Sequence, residues 1–145
     1  MTLLSRGADY AIRAILDVAS QPEDERTVTQ QIAMRQDIPA AFLSKVVAQL
    51  TQAGLLRTHR GAGGGVLLGK PPEEISLRQV VEAVQGPMVI NLCTGPYDGC
   101  PRTPTCPASP VFKEAQESLD ALLERACLAD LAKEAAGLAA SGERG

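Results

Sequence analysis

Three cysteines fall within fourteen residues of this chain, in the run Cys93-Thr-Gly-Pro-Tyr-Asp-Gly-Cys100-Pro-Arg-Thr-Pro-Thr-Cys106-Pro107. Pro101 and Pro107 follow two of them directly, and Pro96 and Pro104 stiffen the gaps. Proline removes backbone freedom from a segment that has little core to hold it. The stretch from about Asn91 to Ala108 is therefore a constrained loop, and every other element must be arranged before or after it. The spacing is C-x6-C-x5-C, longer than the C-x2-C gap of a zinc knuckle, so a structural zinc site is the weaker reading. Thiolates as soft ligands suit iron–sulfur or zinc. Free thiols and a disulfide pair remain open as well.

The flanking sequence is helix-rich. Ala8, Ala11, Ile12, Ile15, Leu16 and Ala19 recur at helical spacing, which predicts a helix over 5–19. Thr29 is the expected N-cap of a short helix to Gln36, and Asp37-Ile38-Pro39 ends it. A second helix from Ala40 to Ala53 buries Phe42, Leu43, Val46, Val47 and Leu50, with Gly54 as its left-handed cap. Leu55–Thr58 and Val66–Leu68 read as paired strands around a glycine-rich tip, His59 to Gly65. Ser76 and Gln79 form a capping box, stapled by Ile75 and Val80, for a helix that Gly86-Pro87 stops. After the cysteine loop, Ser109 is the expected cap and Pro110 the first residue of a long helix. Its stripe is Val111, Phe112, Ala115, Leu119, Leu122, Leu123 and Ala126.

Two short helices at a sharp turn followed by a hairpin predict a mainly α fold, a winged helix-turn-helix. The expected divisions are a DNA-binding domain over 1–86, the cysteine-rich loop over 87–108, a dimerisation helix over 109–136 and a flexible tail over 137–145. The formal net charge of −3 hides an asymmetry. Residues 1–70 hold eight Lys/Arg against six Asp/Glu, whereas 71–145 hold six against eleven. From Ile38 to Pro72 there are four basic residues and no acid, a local footprint for double-stranded DNA. On the second helix Ala40, Ala41, Ser44, Lys45, Ala48 and Gln49 fall off the buried stripe and are short or hydrogen-bonding. Arg57, His59 and Arg60 belong to the wing, with Gly61 and Gly63 in its tip. Ala41, Ser44, Lys45, Gln49 and these wing residues are the expected DNA contacts.

Other classes are excluded by what such chemistry needs. The glycine run lacks both a strand-to-helix step and a following Gly-Lys-Ser/Thr, so it is no phosphate-binding loop. There is no flavin or nicotinamide fingerprint, and the only histidine, His59, lies in the wing, far along the chain from the cysteines. An enzyme is not expected, and an iron–sulfur electron carrier would leave the helix-turn-helix without a use. No apolar run approaches the roughly 18 residues of a membrane span, and no signal-peptide pattern precedes the first helix. The expected address is the cytoplasm, where cysteines persist as thiols.

Arg60-Gly-Ala-Gly-Gly-Gly-Val-Leu-Leu-Gly-Lys70-Pro71, Ile75-Ser-Leu-Arg-Gln-Val-Val-Glu-Ala-Val84 and Leu4-Ser-Arg-Gly-Ala-Asp-Tyr-Ala-Ile-Arg13 resemble the IscR/NsrR (Rrf-type) family of bacterial winged-helix regulators. The similarity covers about residues 2–130. It implies a homodimeric transcriptional regulator, expected to be a repressor, that senses redox state, nitric oxide or iron–sulfur status. The cofactor implied is a 4Fe-4S or 2Fe-2S cluster held by Cys93, Cys100 and Cys106. One branch of the family completes the site with a histidine three residues past the last cysteine, where this chain has Ser109. Another uses an acid near the start of the first helix, from the partner subunit, and Asp9 matches that place. Asp9 could equally pair with Arg13 four residues on, and Cys127 is the rival ligand. Relatives of the IscR branch carry an acid where this chain has Ser44 and a serine where it has Ala41, so a different operator is expected. The resemblance also implies that the long helices cross in a two-fold dimer, which would then read a roughly palindromic site. A cluster-free regulator controlled by thiols or zinc is the alternative.

Overall fold

The computed structural model describes residues 2–22, 25–59, 65–96 and 99–142. Helix α1 (Arg6–Ala19) starts where the Ser5 hydroxyl accepts from the Ala8 amide at 3.0 Å. It runs through the centre of the molecule, with Ala8, Ala11, Ala14 and Ile15 fully buried. The alanines let neighbours come close: α3 (Ala40–Gln52) and α4 (Leu77–Gln85) both pack on α1 and on each other. Leu43, Val46 and Leu50 of α3 and Val80 of α4 close this core together with Ile32, Leu55, Leu56, Val66 and Ile75. Each such Leu or Ile contributes about 1.5–3 kcal/mol by leaving water.

Helix α2 (Thr29–Gln36) lies against α1 and α3. Its cap departs from expectation. Val28, not Thr29, occupies the N-cap, with no side-chain bond to the helix. Thr27 explains the difference. Its backbone exchanges two hydrogen bonds with Val66, at 2.8 and 3.2 Å, so the chain enters α2 from an extended bridge that places Val28 at the junction. At the other end Asp37 takes φ 52° and ψ 53°, and the Ile38 amide reaches back to the Ala33 carbonyl at 3.0 Å. A non-glycine residue in the left-handed region is uncommon, though Asp tolerates it better than most. It makes the sharp turn between α2 and α3.

Helix α3 ends as expected. Gly54 has φ +80°, the Leu55 amide bonds the Leu50 carbonyl at 2.9 Å and the Gly54 amide bonds that of Thr51 at 3.0 Å. These are the two bonds of a Schellman motif. It directs the chain into β1 (Leu56–His59), antiparallel to β2 (Gly65–Leu68) in the register Leu56–Leu68 to His59–Gly65. Against the expected Leu55–Thr58 and Val66–Leu68, β1 is shifted one residue toward the tip and β2 begins one residue earlier. Gly69 then donates to the Leu55 carbonyl at 2.9 Å. It lies so close to the Gly54 carbonyl that a side chain there would collide with it. The Ser76–Gln79 capping box of α4 is present in both directions, at 3.1 and 2.9 Å, and its staple residues Ile75 and Val80 are fully buried.

The region after the loop differs most. Ala108, not Ser109, is the N-cap of α5 (Ser109–Arg125), with Ser109 already helical and Pro110 second. The Ser109 amide bonds back to the Cys106 carbonyl at 3.2 Å, which turns the chain one residue early. The expected single helix over 109–136 is two. Ala126 leaves helical geometry at ψ 104°, and α6 (Leu128–Gly142) begins beyond Cys127. Two backbone bonds at 2.8 Å cause the break, Leu77 N–H to the Ala126 carbonyl and Leu128 N–H to the Ile75 carbonyl. They pull Cys127 into a strand-like bridge with Ser76 and seat Leu128 in the core, 2 % exposed. Helix α6 returns to pack on α1 and remains helical across 137–142, where a loose tail was expected. Residues 143–145 of that tail lie outside the described residues. No helix among those described is long and apolar enough to cross a membrane.

Candidate functional site

The outward side of α3 is built for close approach. Ala40, Ala41, Ser44, Lys45 and Ala48 are exposed, and Gln49 is half-buried. The Ser44 hydroxyl donates to the Ala40 carbonyl at 3.1 Å. Among the described residues neither Lys45 nor Arg57 forms an ion pair. Ser44, Ala48 and Thr51 share a shallow groove with Thr29 of α2 and Thr58 of β1.

Thr58 was not singled out in the sequence, yet it faces α3. Side chains alternate across a strand, so Arg57 turns the other way. It lies in a cleft with Val18, Glu25, Lys70 and Glu73, away from the α3 groove. His59 is half-buried at the end of β1. Arg60, Gly61 and Gly63, the other expected wing contacts, lie outside the described residues.

Two polar devices fix α2; of their contacts the sequence offered only the Asp9–Arg13 pair, four residues apart. Asp17, 5 % exposed, accepts two bonds from the Arg35 guanidinium at 2.9 and 2.6 Å and one from the Gln36 amide at 3.0 Å. The hydrogen bonds to Asp17 hold the Arg35 pKa above its ordinary value. Asp9 pairs with Arg13 at 3.0 Å. Arg13 also donates to the Gln36 carbonyl at 2.8 Å, the last residue of α2, and lies 4.8 Å over the Tyr10 ring. Tyr10 in turn meets Phe42 of α3 edge to face, with centroids 5.0 Å apart. Asp9 is thus connected through packed groups to both α2 and α3.

In the loop, Cys93 sits on a single 3-10 turn, Leu92–Thr94. The Asn91 amide donates to the Thr94 hydroxyl at 3.1 Å, which holds that turn. Thr103 donates through its amide and its hydroxyl to the Cys100 carbonyl, at 3.2 and 2.8 Å. Cys93, Cys100, Cys106 and Cys127 are all half-buried free thiols. Among the described residues no three His, Cys, Asp or Glu side chains are gathered into a metal-holding group. Asp9 stays with Arg13, and Cys127 faces Ser76 across its bridge.

What anchors the loop is Gln116, a buried polar residue within α5. Its amide group donates to the Met88 carbonyl at 2.7 Å and to Asp120 at 3.0 Å, and it accepts from the Ile90 amide at 2.8 Å. The strand of chain that leads into Cys93 is therefore clamped to α5. On the same helix Val111, Phe112 and Leu122 are exposed, at 64 %, 38 % and 57 %. Of the rest of the stripe, Leu119, Leu123 and Ala126 are half-buried where α5 packs on α4, so only its Val111, Phe112, Ala115 and Leu122 side is left uncovered.

The sequence matches the profile of Rrf2, described as an iron-dependent transcriptional regulator, over residues 4–134. IscR of Serratia proteamaculans (strain 568), an HTH-type transcriptional regulator, is 33 % identical over 131 residues, covering 90 % of this chain and 79 % of that protein. The solved structure of CymR, the global cysteine regulator of B. subtilis, superposes with a TM-score of 0.77 at 22 % identity, covering 92 % of this chain and 98 % of that one. That of T. potens IscR does so with a TM-score of 0.74 at 24 % identity, covering 91 % and 87 %. The fold is that of the winged-helix, DNA-binding regulators. This chain belongs to the Rrf2 family of transcriptional regulators.

Proposed function

We propose that this chain is a homodimeric repressor whose operator affinity is set by an iron–sulfur cluster on Cys93, Cys100 and Cys106. The observation that carries the reading is the division of the molecule into a finished reading head and an unfinished ligand loop. Residues 1–86 present the groove of Ser44, Ala48 and Thr58 ready-made. Residues 87–108 hold three unpaired soft thiols, clamped at one end by Gln116. The donor set fits the group by its chemistry, since thiolates are the ligands such clusters use. Among the described residues the thiols are not gathered, so binding the group would have to order the loop, as metal binding couples to folding. The first residue of α5, directly after the loop, carries an unmet polar atom, the buried Ser109 hydroxyl. When bound, the group supplies a centre that nitric oxide, oxygen or iron loss can attack.

The chain's own residues supply the link to DNA. Gln116 couples the loop entry to α5, and α5 packs on α4, which packs on α1 and α3. Asp9 is the proposed fourth ligand, from the partner subunit. In taking that role it would exchange Arg13 for iron, and Arg13 holds the end of α2. The second copy seats on Val111, Phe112 and Leu122, the apolar face that α5 leaves uncovered. Lys45 and Gln49 of the two reading helices, with the wings, then meet successive turns of a two-fold operator in the cytoplasm.

A second reading keeps the fold and the DNA but uses the cysteines as a thiol or zinc switch. The ungathered thiols favour it, as does the close superposition on CymR. The test is operator binding by anaerobically reconstituted protein, with the operator selected from a random duplex pool. The proposal expects a dimer by sedimentation and at least a tenfold change in affinity when iron is removed. Affinity that ignores iron and changes only with thiol oxidants or zinc would support the second reading.

A further inference from the structure

Ser109 is one of two buried residues of α5, and it opens the helix. Its hydroxyl has no hydrogen-bond partner among the described residues. The other buried residue, Gln116, has every polar atom of its amide group engaged in at least one bond. A buried hydroxyl normally finds an acceptor or a donor. Arg13 Nε and Thr27 Oγ1 are in the same condition, but they lie on α1 and on the entry to α2, away from any cysteine. Ser109 adjoins the loop directly, its amide bonded to the Cys106 carbonyl at 3.2 Å. The turn that carries Cys93 packs on this same helix. Helix α5 therefore contacts two of the three cysteine-bearing segments and buries an unmet hydroxyl beside one of them. The positive end of the helix dipole lies there too and favours negative charge.

We infer that Ser109 is a positioning residue for the iron–sulfur group, its hydroxyl donating to a sulfur of that group, either the Cys106 thiolate or a bridging sulfide. The inference rests on the cluster reading above. Donation needs no change in the hydroxyl. Ligation would require it to lose its proton in a buried place, which desolvation opposes. A hydrogen bond to cluster sulfur draws charge off the iron–sulfur unit and raises its reduction potential.

The test compares the reconstituted full-length protein with Ser109→Ala and Ser109→Thr. Iron and sulfide content, reduction potential and the shift of Fe–S Raman bands in deuterium oxide are measured on each. The inference expects Ser109→Ala to keep its iron and sulfide, move to a more negative potential and lose the isotope shift. Ser109→Thr, which restores the hydroxyl, recovers both. A Ser109→Ala protein with the wild-type potential and isotope shift would overturn this inference alone. Iron loss confined to Ser109→Ala would overturn it in favour of ligation. A wild-type protein that takes up no iron and sulfide would overturn both this inference and the cluster reading beneath it.

Discussion

The reading head and the cysteine loop are held together by different forces. In the head, α1, α3 and α4 share a core in which Ile15, Leu43, Leu50, Leu55 and Ile75 are at most 2 % exposed. Its turns are fixed by backbone geometry, the Schellman motif at Gly54 and the left-handed Asp37. In the loop no residue from Asn91 to Ala108 is buried among those described. Order there comes from prolines, threonine hydroxyls and the Gln116 clamp. A surface that must match DNA gains from being finished beforehand. Under the proposed function the loop would gain from low intrinsic stability, because a bound ligand would then decide its order.

Substitutions should separate the two regions sharply. Leu50→Ala leaves a cavity in the head and should cost about 2–5 kcal/mol in urea unfolding, enough to threaten folding. Arg35→Ala leaves the buried Asp17 carboxylate with only the Gln36 amide. It should cost about 1.5–3 kcal/mol by the same measurement, since bonds to charged groups are the stronger ones. Gln116→Ala strips partners from the Met88 carbonyl and the Ile90 amide and should cost about 1–2 kcal/mol. Hydrogen exchange should quicken at Ile90 and stay unchanged in α3; protection lost evenly across the molecule would show that the two regions are not separable. Cys106→Ala in the metal-free protein should move stability by no more than about 0.5 kcal/mol, as for a surface change. A larger loss would mean that the loop is ordered without a ligand. Lys45→Ala should leave folding untouched and reduce the salt slope of DNA binding by about 1.

What the sequence disclosed was whatever is decided locally. The buried stripe of α3 from Leu43 to Leu50, the Ser76–Gln79 box, the left-handed Gly54 and the pairing of the two strands all follow from spacing over a few residues, and the structure holds each of them, with Phe42 of the stripe only half-buried. The errors have a common source in contacts between distant segments. Nothing near Ala126 breaks a helix; the bonds from Leu77 and Leu128 do so, some fifty residues apart in origin on the Ile75–Leu77 side. Val28 replaces Thr29 as cap because Thr27 pairs with Val66, and Ser109 enters α5 because Cys106 closes a turn behind it. The site residues divide the same way. Ser44, Lys45 and Ala48 were legible as the positions left off an apolar stripe. Asp17, Arg35 and Gln116 were not, since a polar residue at helical spacing reads as solvent-facing until its partner is seen. The opposed facing of Arg57 and Thr58 depends on which side of β1 meets α3, which strand alternation alone does not specify.

The central claim is that Cys93, Cys100 and Cys106 hold an iron–sulfur group. The most direct measurement is the visible spectrum of the protein purified without oxygen, taken together with its iron, sulfide and zinc content. A cluster on these thiols makes the protein brown, with iron and acid-labile sulfide, and both are lost on changing any of the three cysteines to alanine. A colourless protein that remains iron-free after reconstitution would contradict that claim and leave a DNA-binding dimer controlled by thiols or zinc.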